Sequence, residues 1–169
     1  MPLEPRHIEA ELPGDLVQVD CFHVGRLTGT QGRIWQYTAV DVASSFIWAE
    51  LHVTPLNSAA GFPSRLVQRV AQELSMAGSK LKAVSTDNAS EFRLSEFRQT
   101  VEALGAEQRF IRAGRPQTNG VVEPAQRTVL EECWRPSFAR SLAPKSTALR
   151  RDLDQYLDYY NFHRVTPGA

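Results

Sequence analysis

The sequence predicts an α/β fold, a five-stranded mixed sheet covered by helices, and three observations carry that expectation. Three strand-like runs follow one another with short connections, the pattern of an antiparallel meander. Two further strands alternate with helices, a second kind of connection that makes the sheet mixed. The rest of the chain reads as helices with apolar residues recurring on one face.

The elements run as follows. Residues 16 to 24, rich in strand formers and preceded by the turn signal Pro13-Gly14, form a first strand with Asp20 in its middle. Gly25, Gly29 and Gly32 punctuate a loop, after which residues 33 to 43 and 46 to 53 supply two more strands, separated at Ala43-Ser44-Ser45. Pro55 breaks the third run, and Asn57 or Ser58 can cap a helix carrying Leu66, Val67, Val70, Ala71 and Leu74 at helical spacing, ending near Gly78. Residues 81 to 86 are a fourth strand with Asp87 at its carboxyl end. Ser95 caps a second helix, with Phe97, Val101 and Leu104 on one face and Gly105 closing it, and residues 108 to 111 are the fifth strand. A polar loop from Ala113 to Gly120 leads into a helix over about 122 to 134. A last helix spans 149 to 162, with Leu153, Tyr156, Leu157 and Tyr160 facing inward, and Pro136 and Pro144 bound the irregular stretch between the two.

Composition narrows the classes. With 169 residues, 42% of them apolar, and no repeat, low-complexity tract or linker, one domain is expected, with residues 14–163 as its ordered core. Nineteen basic and nineteen acidic side chains balance, so any nucleic acid must be held by local patches and not by a long-range field. No apolar run is long enough to span a bilayer and the start lacks a signal peptide's apolar region; a soluble, cytoplasmic protein without a membrane partner is expected. Cys21 and Cys133 lie far apart, and His7, His23, His52 and His163 form no metal-ligand pair, which argues against structural zinc.

Three carboxylates draw attention by position. Asp20 is flanked by Val19 and Cys21 inside a strand, Asp87 ends a strand, and Glu123 opens a helix after a glycine-containing loop. A carboxylate inside a strand is costly unless it is paired or binds a metal. If strands one and four are neighbours and the Glu123 helix leans across their ends, three oxygen donors converge on a site suited to Mg²⁺ or Mn²⁺. Taken singly, each is better explained as a cap or a surface ion pair.

The surrounding motifs change that balance. Ser85-Thr86-Asp87-Asn88-Ala89-Ser90-Glu91-Phe92 resembles the Thr-Asp-Asn-Gly-Ser-Glu-Phe signature of integrase cores, and Pro116-Gln117-Thr118-Asn119-Gly120-Val121-Val122-Glu123 resembles their Pro-Gln-Thr-Asn-Gly-x-x-Glu signature. Thirty-five residues, 88 to 122, separate Asp87 from Glu123, the spacing of the family's Asp, Asp-35-Glu triad. Tyr159-Tyr160-Asn161-Phe162-His163-Arg164 resembles a terminal motif of bacterial insertion-sequence transposases. The resemblance covers nearly the whole chain and implies a ribonuclease-H-like fold, a five-stranded mixed sheet with helices on both sides.

By the same resemblance Asp20, Asp87 and Glu123 would be the catalytic and metal-binding residues, with two Mg²⁺ or Mn²⁺ ions expected once DNA is bound. Arg127, one helical turn after Glu123, would face phosphate, and Gln117 and Asn119 would touch the strand end. The function implied is a polynucleotidyl transferase core that cleaves and joins DNA in transposition or integration. The alternatives are a ribonuclease-H-like nuclease, or a non-catalytic DNA-binding or assembly module of the same fold. The partners implied are DNA, as mobile-element ends and target, and further copies of the chain in a homodimer or higher homo-oligomer. Core packing is the expected role of Trp35, Trp48 and Trp134, with a contribution to that interface as the alternative. The resemblance also implies a bacterial cytoplasm, and recognition segments of zinc-binding or helix-turn-helix type that are not in this sequence.

The pattern departs from the family at Ala89, Ala113-Gly114, Thr166 and Pro124. Proline inside a helix costs about 3 kcal/mol, whereas the first turn tolerates it, so the helix is expected to start at Val121 or Val122.

Overall fold

Alternation of apolar and polar residues builds the strands, and their register builds the sheet. The computed structural model describes residues 10–26, 33–54, 61–87, 95–110, 127–134 and 146–163. The elements are β1 (Val17–Arg26), β2 (Arg33–Asp41), β3 (Ile47–Thr54), α1 (Gly61–Met76), β4 (Ala83–Thr86), α2 (Ser95–Ala103), β5 (Glu107–Phe110), α3 (127–134) and α4 (Ser146–Phe162). Within α3, Leu130–Trp134 are wound as a π-helix, which no local pattern announces. The predicted starts of α1 and α3, including the effect of Pro124, fall outside the described residues.

The five strands lie in the order β3-β2-β1-β4-β5. β1, β2 and β3 form the antiparallel meander, while β4 joins β1 in parallel and β5 joins β4 in parallel. Helical crossovers are what bring β4 and β5 back in the same direction.

Both faces are covered. On one, α1 and α2 bring Leu66, Val67, Val70, Leu74, Phe97 and Val101 onto Val17, Val19, Tyr37, Ala39, Trp48 and Val84. On the other, α3 and α4 bring Val129, Cys133, Trp134, Leu149, Leu153 and Leu157 onto Ile34, Val40, Ile47, Ala49 and Leu51. Trp48 and Trp134 are 4% and 1% exposed, so both take the core-packing role and not the interface one. Trp35 is partly buried against the first cluster.

The turn that enters β1 depends on Gly14. Its φ of +92° is open to glycine, and a Cβ placed there would stand 2.2 Å from the Lys80 carbonyl oxygen. Its N–H donates to Asp41 Oδ1 at 2.9 Å and its carbonyl accepts from Lys82 N–H at 2.8 Å. Asp41 is completely buried, and its other oxygen accepts from the Ser44 N–H and hydroxyl, closing the β2–β3 turn. One carboxylate therefore joins two turns and the end of β2.

Candidate active site

The parallel β1–β4 pairing sets the site. Its register is Val17↔Val84, Gln18↔Ser85 and Val19↔Thr86, and the next residue on each chain is Asp20 and Asp87. Neighbouring strands stand about 4.8 Å apart, so Asp20, inside β1, and Asp87, just past the end of β4, lie side by side one step beyond the paired stretch. Asp20 is half-buried, with Oδ1 accepting the Cys21 N–H at 2.8 Å, and Asp87 is exposed. The pair therefore opens toward solvent from a rigid base. Adjacent carboxylates repel one another, and a divalent cation that prefers oxygen donors relieves that repulsion.

Strand alternation fixes the face. Val17, Val19 and Val84 belong to the α1–α2 side, so Gln18, Asp20 and Ser85 project to the side covered by α3 and α4. Thr38, the cross-strand partner of Asp20, projects to that side too, as does Gln36. Arg127, the first described residue of α3, is exposed. Of the expected triad the structure brings Asp20 and Asp87 together. Glu123, Gln117 and Asn119 lie outside the described residues.

Two features escape a reading of the sequence. Asp41 is the most buried carboxylate among the described residues, yet its work is structural, as its three hydrogen bonds to turn groups show. The second is a buried polar stripe of Gln18, Gln36, Thr38 and Ser85 beside Asp20. Gln36 and Thr38, two residues apart in a strand, were the available signal, since that spacing puts both on one face.

An Integrase core domain family model matches residues 10–116, and a second model of the same description matches residues 104–165. No curated protein matches the sequence. Among solved structures, a chain of a simian T-cell lymphotropic virus intasome in complex with PP2A regulatory subunit B56 gamma superposes with a TM-score of 0.73 at 18% identity, over 95% of this chain and 52% of that one. This chain thus spans about half the length of that relative. The catalytic core domain of BIV integrase gives 0.68 at 18% identity, over 92% and 89% of the two chains. The HTLV-2 integrase catalytic core domain in complex with magnesium, in a dimeric form, gives 0.68 at 16% identity over 94% and 93%. Identities this low speak to fold, and the fold they share is the one built above. The family model extends over well more than half of the residues, and so the chain belongs to the integrase core domain family and has its ribonuclease-H-like fold.

Proposed function

We propose that this chain is the catalytic core of a metal-dependent polynucleotidyl transferase that cleaves DNA and joins strands at the ends of a mobile element. The observation that carries the reading is the β1–β4 register, in which Asp20 and Asp87 follow the last paired residues of two adjacent parallel strands. Their backbone separation is set by the sheet before any substrate arrives, and that preorganisation favours an in-line displacement at phosphorus. Asp20 and Asp87 would hold Mg²⁺ or Mn²⁺, with Glu123 completing the donor set on a second ion when DNA is bound. Bound there, the ions would activate the attacking hydroxyl and stabilise the leaving oxygen.

The remaining roles belong to binding. Arg127 offers an exposed cation for a phosphate, and Gln117 and Asn119 offer amides to a strand end. With formal net charge zero, DNA affinity must come from such local contacts. We assign the chain DNA partners, as element ends and target, self-association as a homodimer or higher oligomer, and a bacterial cytoplasm. The self-association is supported by the intasome and by the dimeric and trimeric integrase cores to which the chain is similar. No helix among the described residues is long and apolar enough to cross a membrane.

The test is strand transfer on a pre-cut DNA end with Asp20→Asn, Asp87→Asn and Glu123→Gln. Each should lower the rate by on the order of 10³-fold, because a ligand to the catalytic ions is lost. The melting temperatures of Asp20→Asn and Asp87→Asn should be unchanged or raised, because one member of a repelling pair has been neutralised. Full activity in any of the three would remove that residue from the site.

A further inference from the structure

Gln36 and Thr38 are completely buried in β2, on the same face as the apolar Ile34 and Val40. An amide and a hydroxyl placed there cost free energy unless they are partnered. Here they form a directed chain: Trp134 Nε1 donates to Gln36 Oε1 at 2.6 Å, and Gln36 Nε2 donates to Thr38 Oγ1 at 2.7 Å. Thr38 is the cross-strand partner of Asp20. The hydrogen bonds thus run from α3 to the residue beside the first carboxylate. Trp134 closes the π-helical stretch Leu130–Trp134, a widened turn of the kind that concentrates at functional sites. Trp134 and Gln36 lie 98 positions apart, so the bond ties helix to sheet and has no local structural role.

Apolar packing alone would hold α3 on the sheet without fixing its rotation or axial position, because burial is non-directional. A short, buried hydrogen bond from one indole to one amide fixes both. We infer that Gln36 and Trp134 are positioning residues that lock α3, which carries the exposed Arg127, in a set relation to Asp20 and Asp87. This rests on the metal-site reading above. Both side chains are buried, so neither would touch DNA or metal.

The test uses the whole ¹⁵N-labelled chain with Mn²⁺ alone as probe, in the parent, Gln36→Met, Trp134→Phe and the double variant. Mn²⁺ at Asp20 and Asp87 broadens amide signals steeply with distance, so the ratio of broadening across 127–134 to that across β4 reads where α3 sits. Loss of the lock should change that ratio by about twofold or more and speed amide exchange across 127–134 about tenfold, leaving β1 exchange unaltered. In Gln36→Met the indole N–H signal of Trp134 should also move and exchange faster. The double variant should resemble the single ones, since either substitution removes the same bond. Unchanged ratios and unchanged exchange in both single variants would overturn the proposal, as would fully additive effects in the double variant. Parent amides near Asp20 and Asp87 left unbroadened would instead overturn the metal site, and exchange across 127–134 would then decide the lock by itself.

Discussion

Asn161 turns both ends of its side-chain amide to one residue of the sheet's edge strand. Its Nδ2 donates to the Ile47 carbonyl at 2.8 Å, and its Oδ1 accepts the Ile47 N–H at 2.9 Å, so a side chain of α4 completes the pairing that another strand would otherwise supply. Such edges invite unwanted pairing when left open. Asn161→Ala should cost about 1–3 kcal/mol in denaturant unfolding, since two backbone groups lose their partners. Asn161→Asp should cost at least as much, because a carboxylate cannot donate to the Ile47 carbonyl. A loss within experimental error in both would show that the bonds are replaced by water. Glu50 illustrates a different balance. Burial pushes its carboxyl up, but hydrogen bonds from His52 and Arg69 and the charges of both outweigh it and hold the group below its ordinary 4.5. A depressed folded value means that the stabilisation is complete above the unfolded value and is lost as pH falls through the folded one. Melting temperature should therefore fall more steeply for the parent than for Glu50→Gln as pH drops from about 5 to about 3, and parallel curves would contradict this.

At the scale of elements, the turn at Gly14 holds the entry to β1 against the segment that leads into β4. Gly14→Ala forces a Cβ against the Lys80 carbonyl oxygen and strains a φ of +92°. The expected cost is about 2 kcal/mol or more in the denaturation midpoint, with activity lost only as folding is lost. A neutral substitution would mean that the turn can reorganise. Elements of this kind were legible because their signals are local. Pro13-Gly14, the glycines at 78 and 105 that close α1 and α2 with positive φ, and the alternation in β1 to β3 each act within a few residues. The π-helical stretch has no local sequence signal, and the Trp134–Gln36 bond was not legible because it joins residues 98 positions apart. Trp48 and Trp134 take the core-packing role expected of them, although which face of an element is covered is decided by its neighbours. The proximity of Asp20 and Asp87 was anticipated only as the adjacency of strands one and four. The register that puts them one step beyond Val19↔Thr86 comes from the structure.

At the scale of the molecule, a mixed sheet with helices on both faces delivers two carboxylates, one half-buried and one exposed, to adjacent positions beside the β1–β4 pairing. The helix that follows Glu123 covers the same face, tied to the sheet through Trp134. The architecture thus gathers into one region residues far apart in sequence, while the balanced charge means that the DNA binding we propose would rest on local contacts. In the function proposed here, Asp20 and Asp87 form a divalent-metal site. Crystals of the chain soaked in Mn²⁺ and measured by anomalous diffraction address it without DNA. An anomalous peak within about 2.0–2.6 Å of carboxylate oxygens from both residues is the result predicted. No peak there at saturating Mn²⁺, with both side chains ordered, would contradict the claim.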